Sequence, residues 1–171
     1  MNYNMPRKKI FVTVGTTKFD DLIKTITTDE VLQELSKKGY SEMIMQIGRS
    51  HVEPDCTKRC GFHRIEVFNL KPSLQEDMQT ADLIISHAGA GSCLEALELS
   101  KPLIVVTNDR LMDNHQLELA EQLYKDGHLL YTNCKGLTQL IRSMNLSELK
   151  PFTGDKSKTI ANTINEIMGF A

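Results

Sequence analysis

No stretch of this 171-residue chain approaches the ~20 consecutive apolar residues needed to cross a bilayer, and no signal peptide precedes its first apolar run. The expectation is a soluble, intracellular protein without a membrane span. Neither sign of charge dominates: 20 Lys and Arg stand against 22 Asp and Glu, a net charge of −2. That balance gives no nucleic-acid surface, and the one basic cluster, Pro6-Arg7-Lys8-Lys9, reads as a solvated tail. Cysteines number four, at 56, 60, 93 and 134. In an intracellular chain they are expected as reduced thiols rather than a disulfide framework. There is no internal repeat and no low-complexity tract, so the length suits one compact domain.

What is present is an alternation of strands and helices. Apolar runs at Lys9–Val14, Glu42–Ile47, Ile65–Phe68, Leu83–Ser86, Leu103–Val106 and Leu129–Tyr131 read as strands. Helical spacing follows from about Asp20, over Asp29 to Lys38 with Gly39 as its stop, and near Ser73 to Gln79. It recurs after Ser92, from Asp113, around Leu137 to Met144, and in a final amphipathic stretch, Ser157 to Met168. This order predicts an α/β fold, a mainly parallel sheet with helices on both faces, whose ligand lies beyond the carboxyl ends of the strands. Three polar loops fall at that edge: Gly15 to Lys18, His87 to Ser92, and Thr107 to Gln116.

The densest signal is Ala81-Asp-Leu-Ile-Ile-Ser-His-Ala-Gly-Ala-Gly-Ser-Cys-Leu-Glu-Ala-Leu97. It reads as a buried strand, a glycine turn from His87 to Gly91, and a helix opening near Ser92. Such a turn offers free backbone N–H groups and a positive helix end to an anion. Gly89 and Gly91 let a phosphate approach the backbone, and Glu95, one turn on, is within reach of an attached sugar. The segment points to a nucleotide or nucleotide-sugar site.

Together, Val14-Gly-Thr-Thr17, Ser86-His-Ala-Gly-Ala-Gly-Ser92 with Glu95, and Asn114-His-Gln116 resemble the donor-binding half of the MurG-type glycosyltransferases, in order and spacing from about Ile10 to Asp126. In detail they are most similar to the small soluble catalytic subunits of the eukaryotic two-subunit UDP-N-acetylglucosamine transferases of the dolichol pathway. The resemblance implies a single Rossmann-like domain equivalent to the C-terminal donor half of a GT-B enzyme. It also implies transfer of N-acetylglucosamine from UDP-GlcNAc to dolichyl-diphosphate-GlcNAc, inverting and without metal or other cofactor. The acceptor side, a lipid-linked sugar, would be held by a separate membrane-anchored subunit at the cytosolic face of the endoplasmic reticulum. By the same resemblance, Gly15, Thr16 and Thr17 contact the donor diphosphate. His87, Gly89, Ala90, Gly91 and Ser92 hold phosphate and ribose, Glu95 takes ribose hydroxyls, and Asn114, His115 and Gln116 lie at the transferred sugar. His87 and His115 have suitable chemistry for a general base, yet the family's base candidate lies on the acceptor domain, so none is assigned here. Residues 1–150 form the expected nucleotide-sugar domain. Residues 151–171 form a linker and amphipathic helix, a candidate partner-docking element released by Pro151-Phe-Thr-Gly154.

Plainer readings stand beside these. Ser92-x-x-Glu95 and Asp113-x-x-Gln116 each fit a helix capping box, and Asp20-Asp21, the nearest acidic pair, fits a helix cap. His51, Cys56, Cys60 and His63 invite a zinc reading, against which a flexible polar insert is preferred. Gly89-x-Gly91 with Asp109 partly mimics a dinucleotide fingerprint, but Leu94 occupies its third glycine position. The functional alternatives are a non-catalytic nucleotide-sugar-binding regulatory subunit and, more remotely, an NAD-dependent module.

Overall fold

A computed structural model describes residues 7–108 and 114–152, with the backbone alone at 114–116. Six strands form one sheet: β1 (Lys8–Thr13), β2 (Tyr40–Gln46), β3 (Arg64–Phe68), β4 (Leu83–His87), β5 (Leu103–Thr107) and β6 (Leu130–Asn133). Every pairing is parallel and the order is β3-β2-β1-β4-β5-β6. The chain thus runs outward from β1 to one edge, returns, and continues from β4 to the other. β1 and β4 are neighbours whose connections leave in opposite directions, and a crevice opens beyond their carboxyl ends.

Alternation along each strand feeds two cores. On one face Ile10, Val12, Met43, Met45, Ile85 and Val106 pack with α1 (Asp20–Ile26), α2 (Asp29–Lys37) and α6 (Leu137–Ser143). On the other, Phe11, Ile44, Ile84, Leu103 and Val105 pack with α3 (Gln75–Thr80), α4 (Ala90–Glu98) and α5 (Asn114–Lys125). Burial on both faces explains why the central strands read as continuous apolar runs rather than alternating ones. The helix stop at Gly39 is realised as a residue at φ +97°, whose N–H returns to the Ser36 carbonyl at 3.0 Å.

The excursion between β2 and β3 departs from the flexible insert expected. Arg59, with its side chain 19% exposed, donates from Nε to Asp29 Oδ1 (2.9 Å) and from Nη2 to the Thr27 carbonyl (2.6 Å). Its Nη1 donates to the carbonyls of Asp55 and Thr57. One guanidinium therefore ties the loop to itself and to the α1–α2 corner. Cys56 and Cys60 pack against the core while His63 meets Glu42, and no metal-binding group of three or more His, Cys, Asp or Glu forms among the described residues.

At the other end, Pro151 and Phe152 remain on the domain. Phe152 is buried at the second core, His128 stands edge-on to its ring at 5.4 Å, and Lys150 N–H meets the Gly127 carbonyl at 2.8 Å. This anchor sits by the Ser100–Pro102 turn at the amino end of β5, across the sheet from the crevice. The amphipathic helix expected over 157–168 lies outside the described residues. Among the described residues no helix is long and apolar enough to cross a membrane.

Candidate functional site

Two of the three loops expected at the carboxyl edge meet in a cleft of about 550 Å³. Gly15, Thr16 and Thr17 after β1 form one wall, and His87, Gly89, Gly91, Ser92 and Glu95 of the β4–α4 segment another. The third loop does not reach it within the described residues. Thr107 and Asn108 border a separate depression with Phe19, Lys24 and Lys135, and residues 109–113, with the side chains of Asn114, His115 and Gln116, lie outside the description.

The β4–α4 turn is tighter than the sequence suggests. The helix opens at Ala90, not near Ser92, with extended Gly89 (φ −80°, ψ 126°) as its N-cap. Cys93 N–H makes the first helical bond, to the Gly89 carbonyl at 3.1 Å. Glycine has no side chain to cap with, so the N–H groups of Ala90, Gly91 and Ser92 have neither an intrahelical acceptor nor a side-chain cap. The Ser92-x-x-Glu95 capping box is therefore not formed, because Ser92 already lies inside the first turn. Glu95 is left half-buried on the cleft wall without a hydrogen bond or ion pair among the described residues.

His87 fills the angle between the two glycine loops. A Cβ built on Gly15 would stand 2.8 Å from His87 Nε2, and one on Gly89 would run into the same ring. Gly15 also adopts φ +63°, so its lack of a side chain serves both backbone and imidazole. Gly91 differs: nothing lies within 4 Å of where its Cβ would be. Neither ring nitrogen of His87 has a protein partner among the described residues, and burial holds its pKa below the usual histidine value. Its carbonyl is fixed by the Ser86 hydroxyl (2.8 Å) and approached by the thiol of Cys93, which burial pushes up to about 12.

The first loop offers less than expected. Gly15 N–H is already engaged by the Thr13 hydroxyl at 3.0 Å, and Thr17 turns back on the Val14 carbonyl through both N–H and hydroxyl. Asp20 is in the first turn of α1, not at its N-cap, which is Phe19. The Ser50 hydroxyl donates to Asp20, and that bond, ahead of Lys18, holds its carboxyl below the ordinary value. The sequence reading missed Gln46 on the cleft floor and the Leu70–Leu74 segment that forms its far wall. Lys71 in that segment is held by Asp77 (3.2 Å) and lies 4.1 Å over the Phe68 ring. Its alternation of apolar and polar residues after a strand was the available signal.

Residues 9–168 match the glycosyltransferase family 28 C-terminal domain. The chain belongs to this family. Within it, the chain is 56% identical over 131 residues to the Homo sapiens UDP-N-acetylglucosamine transferase subunit ALG13, covering 77% of this chain and 11% of the human protein. It is 33% identical to the Saccharomyces cerevisiae subunit of the same name, across 85% of this chain and 88% of that one. The chain thus spans about a tenth of the human relative and most of the yeast one. Among solved structures, Acinetobacter baumannii MurG superposes with a TM-score of 0.62 at 19% identity, over 94% of this chain and 45% of that enzyme. The fold is that of the carboxyl half of a GT-B glycosyltransferase, as the sequence resemblance implied.

Two glycines, two and four positions beyond His87, can be told apart by stability. Gly91→Ala adds a methyl in open space inside a helix and is expected to raise stability by about 0.5–1 kcal/mol. Gly89→Ala drives a methyl into His87 and is expected to lower it by about 1–3 kcal/mol. Urea denaturation midpoints shifting in the same direction for both would contradict this packing.

Proposed function

We propose that the chain is the donor-binding, catalytic subunit of a UDP-N-acetylglucosamine transferase that extends a lipid-linked sugar, dolichyl-diphosphate-GlcNAc. The observation that carries this reading is the uncapped start of α4, whose Gly89, Gly91 and Ser92 line a cleft shared with His87 and Glu95. Uncapped N–H groups and the helix dipole attract a diphosphate. Glu95 follows Ala90 by five residues, about 7 Å along the axis, a spacing suited to the ribose next to that diphosphate. Among the described residues its carboxylate has no partner to give up for two ribose hydroxyls. Leu70, Pro72 and Leu74 then supply an apolar wall for the base, and Leu70 is 55% exposed without a ligand. For the remaining end of the donor, the sugar, the family resemblance supplies Asn114, His115 and Gln116 at the start of α5.

The names of the human and yeast relatives support the donor and the word subunit supports a partner. In the GT-B fold that the resemblance implies, a second, acceptor-binding half faces the donor half, and this chain covers 45% of MurG. The reading assigns that half, with the general base, to a membrane-anchored subunit at the cytosolic face of the endoplasmic reticulum. In the transfer step the acceptor hydroxyl attacks the anomeric carbon, the bond to the diphosphate oxygen breaks, and UDP departs with its charge met by the α4 N–H groups. Preorganised donors of this kind act without a resident metal or cofactor. A non-catalytic nucleotide-sugar-binding regulatory subunit on the same fold is the second reading, and a transfer assay with the partner separates the two.

Glu95→Gln is expected to weaken UDP-GlcNAc binding by roughly 1–3 kcal/mol. The melting temperature should hardly change, since Glu95 caps nothing and pairs with nothing described. Unchanged affinity by calorimetry would remove Glu95 from the ribose site. Affinity should also depend on pH through His87. Burial keeps the free imidazole neutral at pH 7, whereas a bound diphosphate favours the imidazolium and raises its pKa. The diester diphosphate of UDP-GlcNAc does not itself titrate near neutrality. Affinity should therefore rise as pH falls from about 8 to about 6, with proton uptake on binding, and His87→Gln should flatten the profile. A flat wild-type profile would show that His87 does not take a proton.

A further inference from the structure

Gln46 ends β2 at the cleft floor, 3% exposed, directly after Met43, Ile44 and Met45, which pack in the two cores. Its register partner across the sheet is Thr13 of β1. The Thr13 hydroxyl donates to Gln46 Oε1 at 2.5 Å and accepts the N–H of Gly15 at 3.0 Å. The oxygen end of the amide is thereby engaged, and Nε2 is the end left over. No described residue accepts a hydrogen bond from Nε2, while no buried side-chain nitrogen or oxygen lacks a partner among the described residues. Nε2 is therefore the accessible end of this nearly buried residue of the cleft lining: a positioned donor with no protein acceptor among the described residues. Bracing the Gly15 turn requires only Oε1, so the brace does not account for the amide nitrogen.

We infer that Gln46 is a donor-site residue whose Nε2 donates a hydrogen bond to a phosphate oxygen of the bound nucleoside diphosphate. The inference rests on the donor-cleft reading given above. Three features favour the diphosphate over the nucleoside. Through Thr13, Gln46 is locked to Gly15, the residue against which the His87 ring packs, and these line the cleft with the α4 start. The nucleoside's walls, Leu70 to Leu74 and Glu95, belong to other elements. An amide N–H₂ can only donate, which suits phosphate oxygens, which at neutral pH only accept.

The test compares UDP with uridine, by calorimetry and ligand-observed NMR competition, on the whole chain. Gln46→Glu keeps an oxygen for the Thr13 hydroxyl and replaces the cleft-facing nitrogen with a second, negative oxygen. Gln46→Met keeps length and removes the donor without adding charge. UDP affinity should fall roughly ten- to a hundredfold in both, more in Gln46→Glu, with uridine affinity unchanged. Retained uridine binding also shows that the variant is folded. Unchanged UDP affinity in Gln46→Met and Gln46→Glu would overturn the inference, as would equal losses for UDP and uridine, which place the contact on the nucleoside. A wild-type chain that binds neither ligand would overturn the donor-cleft reading itself, and is distinguishable because no substitution is involved.

Discussion

The start of α4 is left uncapped, and much of the local architecture follows from that one unmet demand. A helix end in a folded protein ordinarily finds a side chain for its first N–H groups, at a gain of about 1 kcal/mol. Here the N-cap is Gly89, which has none to offer. That helix start instead borders a crevice created by topology, where β1 and β4 lie side by side and their connections part. Keeping that crevice open is the work of Gly15 and Gly89, which leave room for the His87 ring. Holding its floor is the work of Thr13 and Gln46. An anion with several acceptor oxygens suits uncapped N–H groups and a helix dipole better than a neutral ligand does, which is why the proposed donor is a sugar-nucleotide diphosphate.

The fold was legible because its signals are local. Continuous apolar strands such as Leu83 to Ile85 and Leu103 to Val106, separated by helical spacing, leave little choice but a parallel sheet buried on both faces. The glycine turn was legible for the same reason. Its details were not. Ser92-x-x-Glu95 matches a capping box letter for letter, yet extended Gly89 takes the N-cap three residues earlier, and Ala90 and Gly91, with no more than a methyl between them, fit the first turn. Pattern and geometry diverge there because a small residue accepts either state.

Other features depended on contacts distant in sequence. Arg59 orders its loop through Asp29 and Thr27, some thirty residues away, and no periodicity in the loop announces this. Gln46 hides in a strand run as one polar letter, and its partner Thr13 lies on another strand. Leu70 to Leu74 reads as an ordinary connection until the fold sets it opposite Glu95. The Asn114-His115-Gln116 segment, by contrast, was legible as a motif, and its side chains lie outside the described residues.

In the proposed reading the architecture presents the donor side of a reaction. A cleft with uncapped N–H groups, a carboxylate with no partner among the described residues and an apolar wall would hold the donor, and the acceptor hydroxyl and its base would be brought to it by a second subunit. The decisive measurement is transfer of N-acetylglucosamine from UDP-GlcNAc to dolichyl-diphosphate-GlcNAc, followed with this chain alone and with a membrane-anchored acceptor-binding subunit, in EDTA throughout. Product formed only when both are present, and lost in proportion when the donor cleft is altered at Glu95, is the result the account predicts. Binding of UDP-GlcNAc without any transfer in the complete complex would contradict a catalytic role and leave this chain as a sugar-nucleotide sensor.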